Sequence, residues 1–111
     1  MNLNTKIVDN VILMNLIGRF DVTLSSDIEH QMNNIINKET DKHLLLNLKD
    51  VEYLNSSMIG IIMSVKNKFH ERKKHIKICN MNNAVRIVFE VLELEEMFEI
   101  FDSEEDALAS F

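Results

Sequence analysis

The stretch that most constrains the fold is His43 to Phe69, HLLLNLKDVEYLNSSMIGIIMSVKNKF, where a strand pattern turns into a helix pattern without a linker. Leu44, Leu45, Leu46 and Leu48 form a short, nearly continuous apolar run, as expected of a strand covered on both faces. Lys49 to Leu54 leads out of it into Asn55-Ser56-Ser57. Met58, Ile61, Ile62, Val65 and Phe69 then fall at i, i+3, i+4, i+7 and i+11, which is one stripe of a helix. A central strand therefore delivers two hydroxyls to a helix N-terminus. Backbone N–H groups there lack intrahelical partners, and the helix dipole favours added negative charge. Any chemical event in this chain is expected at that junction.

A chain of 111 residues has room for one core, so we expect a single domain over residues 1–111. Hydrophobic residues at 46% and charged residues at 27% place it among ordinary folded, soluble domains. A net charge of −6 disfavours nucleic acid as a general partner, because phosphate binding needs a basic face. The lone Cys79 excludes an intramolecular disulfide and fits a reducing compartment. The N-terminal MNLNTKIVDN lacks the pattern of a signal peptide, and no apolar run approaches the roughly 20 residues of a membrane span. The expectation is a cytoplasmic protein without membrane insertion.

Taken in order, Thr5–Val8 and Val11–Ile17 read as two strands joined by a tight turn at Asp9-Asn10, with Gly18-Arg19-Phe20-Asp21 as a loop after them. Ser26 and Glu29 have capping-box spacing ahead of a helical stripe of Ile28, Met32, Ile35 and Ile36. After the central strand and helix, Ile76–Cys79 is a strand and Asn80–Asn83 a polar turn. Ala84, Val85, Val88, Phe89 and Leu92 are a further stripe, and Phe98–Phe101 is the last strand. Ser103 caps a terminal helix with Glu104, Glu105 and Asp106 in its first turn, tethered by Leu108 and Phe111. The order ββαβαβαβα implies a small α/β domain with a largely parallel sheet.

Asn55 or Ser56 caps the central helix, and either serine is also a candidate phosphorylation site or contact. Ser56, Gly60, Ser64 and Asn67 share a second face of that helix. Three of them are small, which lets another backbone approach closely. A serine nucleophile lacks support, since no histidine can be tied to Ser56 and no Gly-x-Ser-x-Gly elbow occurs. His30, His43, His70 and His75 show no metal-ligand spacing, and with only Gly18 and Gly60 there is no phosphate-binding glycine loop. We therefore expect no catalytic residues, no metal and no cofactor. Lys66, Lys68, Arg72, Lys73, Lys74 and Lys77 form a basic run, which reads as a solvated helix end or an anion site. Cys79 reads as a buried strand thiol, and Met58, Met63, Met81 and Met97 as core filling.

Three segments carry a resemblance. Gly18-Arg19-Phe20-Asp21 is similar to a G-x-[LF]-D loop. Leu46 to Gly60 is similar to the signature L-x-L-x-x-V-x-x-[ML]-D-S-S-G-[LIV]-G. Asn82 to Leu94 is similar to S-x-x-V-x-x-[LIF]-[LF]-x-x-[LST]-G-[LV]. In these segments, in order and across essentially the whole chain, the sequence resembles the STAS domain family, in particular bacterial anti-sigma factor antagonists. The resemblance implies a mixed sheet of four to five strands with helices mainly on one face. It implies partner switching as the activity. The unphosphorylated antagonist binds an anti-sigma factor that is also a serine kinase, freeing the sigma factor. Phosphorylation of the first motif serine, here Ser56, releases the kinase, and a phosphatase resets the switch. Asp21, Asn55, Ser56, Ser57, Met58, Gly60 and Ser64 would form the partner-facing surface, on a monomer or weak dimer.

Three positions depart from the pattern: Asn55 replaces the usual aspartate, Met58 a glycine, and Glu93 the glycine after the third helix. Asn55 removes a charge, and Met58 adds bulk beside the hydroxyl unless it turns inward. An alternative is therefore a divergent STAS module that binds constitutively, as a scaffold or an accessory subunit of a sensory or transport complex. A phosphotransfer receiver would need an acceptor aspartate, paired acids and a late lysine; Asp50 could pose as the acceptor, but Asp9 and Asp21 are not the paired acids, and no lysine follows Lys77.

Overall fold

Side-chain alternation along the central strands sets up two unequal layers. The computed structural model describes residues 2–111. Strands β1 (Leu3–Val8), β2 (Val11–Phe20), β3 (His43–Leu54), β4 (Ile76–Cys79) and β5 (Glu99–Phe101) form one sheet in sequence order. The β1–β2 hairpin is antiparallel and the remaining pairs are parallel. Helices α1 (Val22–Lys38), α2 (Ser56–Glu71), α3 (Asn83–Val91) and α4 (Glu104–Ala109) complete the ββαβαβαβα order that the sequence implied.

One set of strand residues, including Ile12, Met14, Leu44, Leu46 and Ile78, packs under α1, α2 and α3 to make the main core. The alternate set, Val11, Leu13, Leu45 and Cys79, packs with Ala107 of α4 on the other side. This is why Leu44–Leu48 reads as a continuous run: both faces of β3 are covered. Burial pushes the Cys79 thiol up to about 12, with Glu104 adding to the effect, so the sulfur stays protonated and inert.

Several expected boundaries move: β1 begins at Leu3 rather than Thr5, and β5 at Glu99 rather than Phe98. Gly18–Phe20 continue β2 rather than forming a loop, because Phe20 is needed in the core. Gly18 adopts φ +115°, and a Cβ there would lie 2.9 Å from Asn2 Nδ2, which itself donates to the Ile17 carbonyl at 2.8 Å. The first helix starts at Val22 with Asp21 as its cap, so Ser26 and Glu29 lie inside the helix and not at its start.

β3 also runs six residues past Leu48. Its register against β2 slips twice, between Asn15 and Ile17 and between Gly18 and Arg19, and each slip adds a residue to β3. Leu48, Val51 and Leu54 therefore all point inward at a spacing of three, which no simple strand period detects. Asn47 fixes the first bulge: its Oδ1 accepts from Lys49 N (2.9 Å) and its Nδ2 donates to Glu104 Oε1 (2.9 Å).

The basic run does not act as one patch. Lys68 Nζ donates to Asn33 Oδ1 (2.7 Å) and Arg72 Nη1 to the Ile36 carbonyl (2.7 Å), tying α2 to α1. Lys77 is buried on the α4 side, where Nζ donates to the Ser110 carbonyl and hydroxyl, both at 2.9 Å. Leu92, expected in the α3 stripe, is half exposed because α3 ends at Val91, and Leu94 and Phe98 are buried instead.

At the N-terminal edge of the parallel strands, His43 Nδ1 accepts from the His75 backbone N–H at 2.9 Å, and its ring stacks on Phe111. Burial, followed by the nearby His75, Lys74 and Lys77, holds the His43 pKa below its ordinary 6.5. The neutral form is favoured in the fold, so the unfolded chain binds more protons across this window. Stability from this group is present above pH 6.5 and is lost as the pH falls toward the depressed folded value. Denaturant titrations of wild type and His43→Gln between pH 5 and about 7.5 should show an acid-side loss in wild type that the variant lacks.

Candidate functional site

Parallel pairing places two helix entrances side by side. Asn55 N donates to the Phe20 carbonyl at 3.3 Å, so the ends of β2 and β3 are level and α1 and α2 begin together. Asp21 caps α1 by accepting from Leu24 N (3.0 Å), and Asn55 caps α2 by accepting from Met58 N (2.9 Å). Ser25, buried in the first turns of α1, donates to the Asp21 carbonyl at 2.7 Å and lies 3.4 Å from Asn55 Oδ1. One buried hydroxyl thus links the two caps. From the other side, Asn82 Nδ2 donates to the Val51 carbonyl at 2.6 Å and holds the approach to the junction.

With Asn55 as the cap, the hydroxyls of Ser56 and Ser57 are free of that task, and both residues are exposed. No acidic residue occupies the first turn of α1 or α2, whereas α4 carries three. The positive end of the α2 dipole is therefore not offset by its own side chains. Beside it, Val22, Ser25, Ser26, Glu29, Ser57, Gly60 and Ile61 line a groove of about 440 Å³ between α1 and α2.

Of the expected surface residues, Asp21, Ser56, Ser57, Gly60 and Ser64 are exposed and Asn55 is half-buried. Met58 is fully buried and belongs to the core, which corrects its expected place on the contact surface. Its position at i−3 and i−4 from Ile61 and Ile62 turns it toward the sheet. Gly60 has open space around it and does not seat the helix on the sheet. Gly60→Ala is therefore expected to raise stability by about 0.5–1 kcal/mol through helix propensity alone, read from the urea midpoint.

Sequence reasoning missed Ser25 and Val22. Ser25 looks like any helix serine until the two strand ends are paired. Val22 is 74% exposed at the groove, and its only signal was an apolar residue off the α1 stripe.

The sequence model of the STAS domain matches residues 2–107. An anti-sigma F factor antagonist of Paenibacillus polymyxa is 26% identical over 98 residues, which covers 88% of this chain and 84% of that protein. Among solved structures, an anti-sigma factor antagonist from Thermotoga maritima superposes with a TM-score of 0.89 at 20% identity, covering 97% of this chain and 92% of the other. The Bacillus cell-fate determinant SpoIIAA in its phosphorylated form superposes with a TM-score of 0.75 at 16% identity, covering 97% of each chain. With its sheet order, its paired helix entrances and a family match over nearly its whole length, the chain belongs to the STAS domain family.

Proposed function

We propose that this protein is an anti-sigma factor antagonist that binds an anti-sigma factor with serine-kinase activity and releases it when Ser56 is phosphorylated. One observation carries the reading: Ser56 is an exposed hydroxyl at the first position of α2, next to a cap it does not supply and to Ser57, which lines the groove between α1 and α2. The relatives support the role, being named as antagonists, and one of them is described in phosphorylated form.

The two departures at the motif are compatible with a working switch. Met58 turns inward, so a kinase meets no bulky side chain from it. Asn55 caps through its amide oxygen without charge, so the cap of Ser56's own helix does not repel a phosphoryl group on that residue. The step is transfer of the ATP γ-phosphoryl group to Ser56 Oγ, with the hydroxyl proton lost and ADP leaving. The added −1.5 to −2 charge, roughly, suits the helix N-terminus but repels and desolvates poorly in a closely packed interface.

The experiment is incubation with lysate of the native cells and ATP, followed by mass-spectrometric mapping. A phosphoryl group on Ser56 that vanishes in Ser56→Ala is the expected result. An unmodified Ser56, in a lysate that modifies a known antagonist, would remove the switch and leave a constitutively binding STAS module.

A further inference from the structure

Helix α3 carries a second surface that the Ser56 reading does not use. Its inner side buries Val85 and Phe89, while Ile87 (58%), Val91 (73%) and, just past the helix, Leu92 (50%) stand exposed. Ile87 and Val91 are four residues apart and so lie one above the other, with Ala84 extending the stripe. Single exposed aliphatic residues are ordinary, but a contiguous set along a nine-residue helix marks an interaction surface.

The C-terminal end of this stripe has one sign, and the cation of the helix, Arg86, lies 3.5 Å from Asp102. Glu90, Glu93, Glu95 and Glu96 line a concavity of about 150 Å³ at the α3 C-terminus, and no lysine or arginine follows Arg86 in the sequence. Acids at a helix C-terminus oppose the dipole, so the fold does not gain from this placement. Charge complementarity then selects the occupant.

We infer that this face docks an amphipathic segment of a partner protein, apolar along one side and rich in lysine or arginine at its edges. A second copy of this chain fits poorly. Symmetric pairing would set four glutamates against four. Head-to-tail pairing would use the cations at the end of α2, where Met97 is the exposed apolar side chain and Glu99 lines the same concavity, a smaller and less one-signed match than an apolar stripe edged with cations. This partner is additional to the kinase, and the inference stands whether or not Ser56 is modified.

The test titrates isotope-labelled protein with a synthetic helical peptide of about 18 residues, leucines on one stripe and lysines elsewhere. Its control has glutamates for lysines. Saturable NMR shifts centred on residues 84–97 are expected with the lysine peptide, and no binding with the control. The pair Ile87→Ser and Val91→Ser should weaken binding about tenfold or more, as two aliphatic side chains no longer leave water. Glu93→Gln with Glu96→Gln should weaken it several-fold at low salt and less at high salt. All four positions are exposed, so thermal melts of the variants should match wild type. Unchanged affinity in the aliphatic pair, shifts centred on α1, α2 or α4, or wild-type self-association lost in that pair would each overturn the inference.

Discussion

Met58→Gly, which restores the residue found in the family pattern, should lower the unfolding free energy by about 3–6 kcal/mol. Emptying a fully buried methionine site costs roughly 2–5 kcal/mol, and glycine in place of alanine inside a helix adds about 1 kcal/mol. The site lies in the first turn of α2, in the same buried core as Ile61 and Ile62. Against a typical total of roughly 5–15 kcal/mol, that loss leaves a marginal domain. Urea titration followed by circular dichroism reads it directly. A change under about 1 kcal/mol would mean that Met58 is no core anchor and that its side chain has a surface conformation.

Ser56→Asp and Ser56→Ala should part in binding while staying together in stability. Aspartate at the first position of α2 faces an uncompensated helix dipole, so folding is unchanged or improved by about 0.3–1 kcal/mol. Toward the proposed anti-sigma factor the same charge is introduced on an exposed site whose neighbour Ser57 lines the groove between α1 and α2. Burying it unpaired should cost at least 2.7 kcal/mol, about a hundredfold in Kd, whereas alanine should bind within about threefold of wild type. Calorimetric titration of the partner kinase with each variant, alongside thermal melts, reads both quantities. Equal affinities for all three proteins would place the interface away from Ser56 and favour the constitutive module.

The strand and helix order was legible because apolar spacing reports burial, and each α/β crossover here buries one side of a helix. Ile76–Cys79 and the cap at Ser103 were readable to the residue for that reason. The second half of β3 was not. Its two bulges change the inward spacing from two to three, and Lys49, Asp50 and Glu52 then resemble a loop. The end of β2 was hidden by Gly18, whose positive φ serves a close approach of Asn2 within a strand and not a turn. At the site, the choice between Asn55 and Ser56 as cap depended on which side chain reaches Met58 N, a geometric question. The role of Ser25 needed two distant segments in register, and a single sequence carries no trace of that pairing.

Partner switching requires reversibility at one hydroxyl. A single preparation should be titrated against the proposed anti-sigma kinase three times by calorimetry: unmodified, fully phosphorylated at Ser56, and after phosphatase treatment. Binding, loss of about a hundredfold or more, and full recovery are the expected sequence of results. Indistinguishable affinities in the three titrations, with mass spectrometry confirming each state of Ser56, would contradict the account.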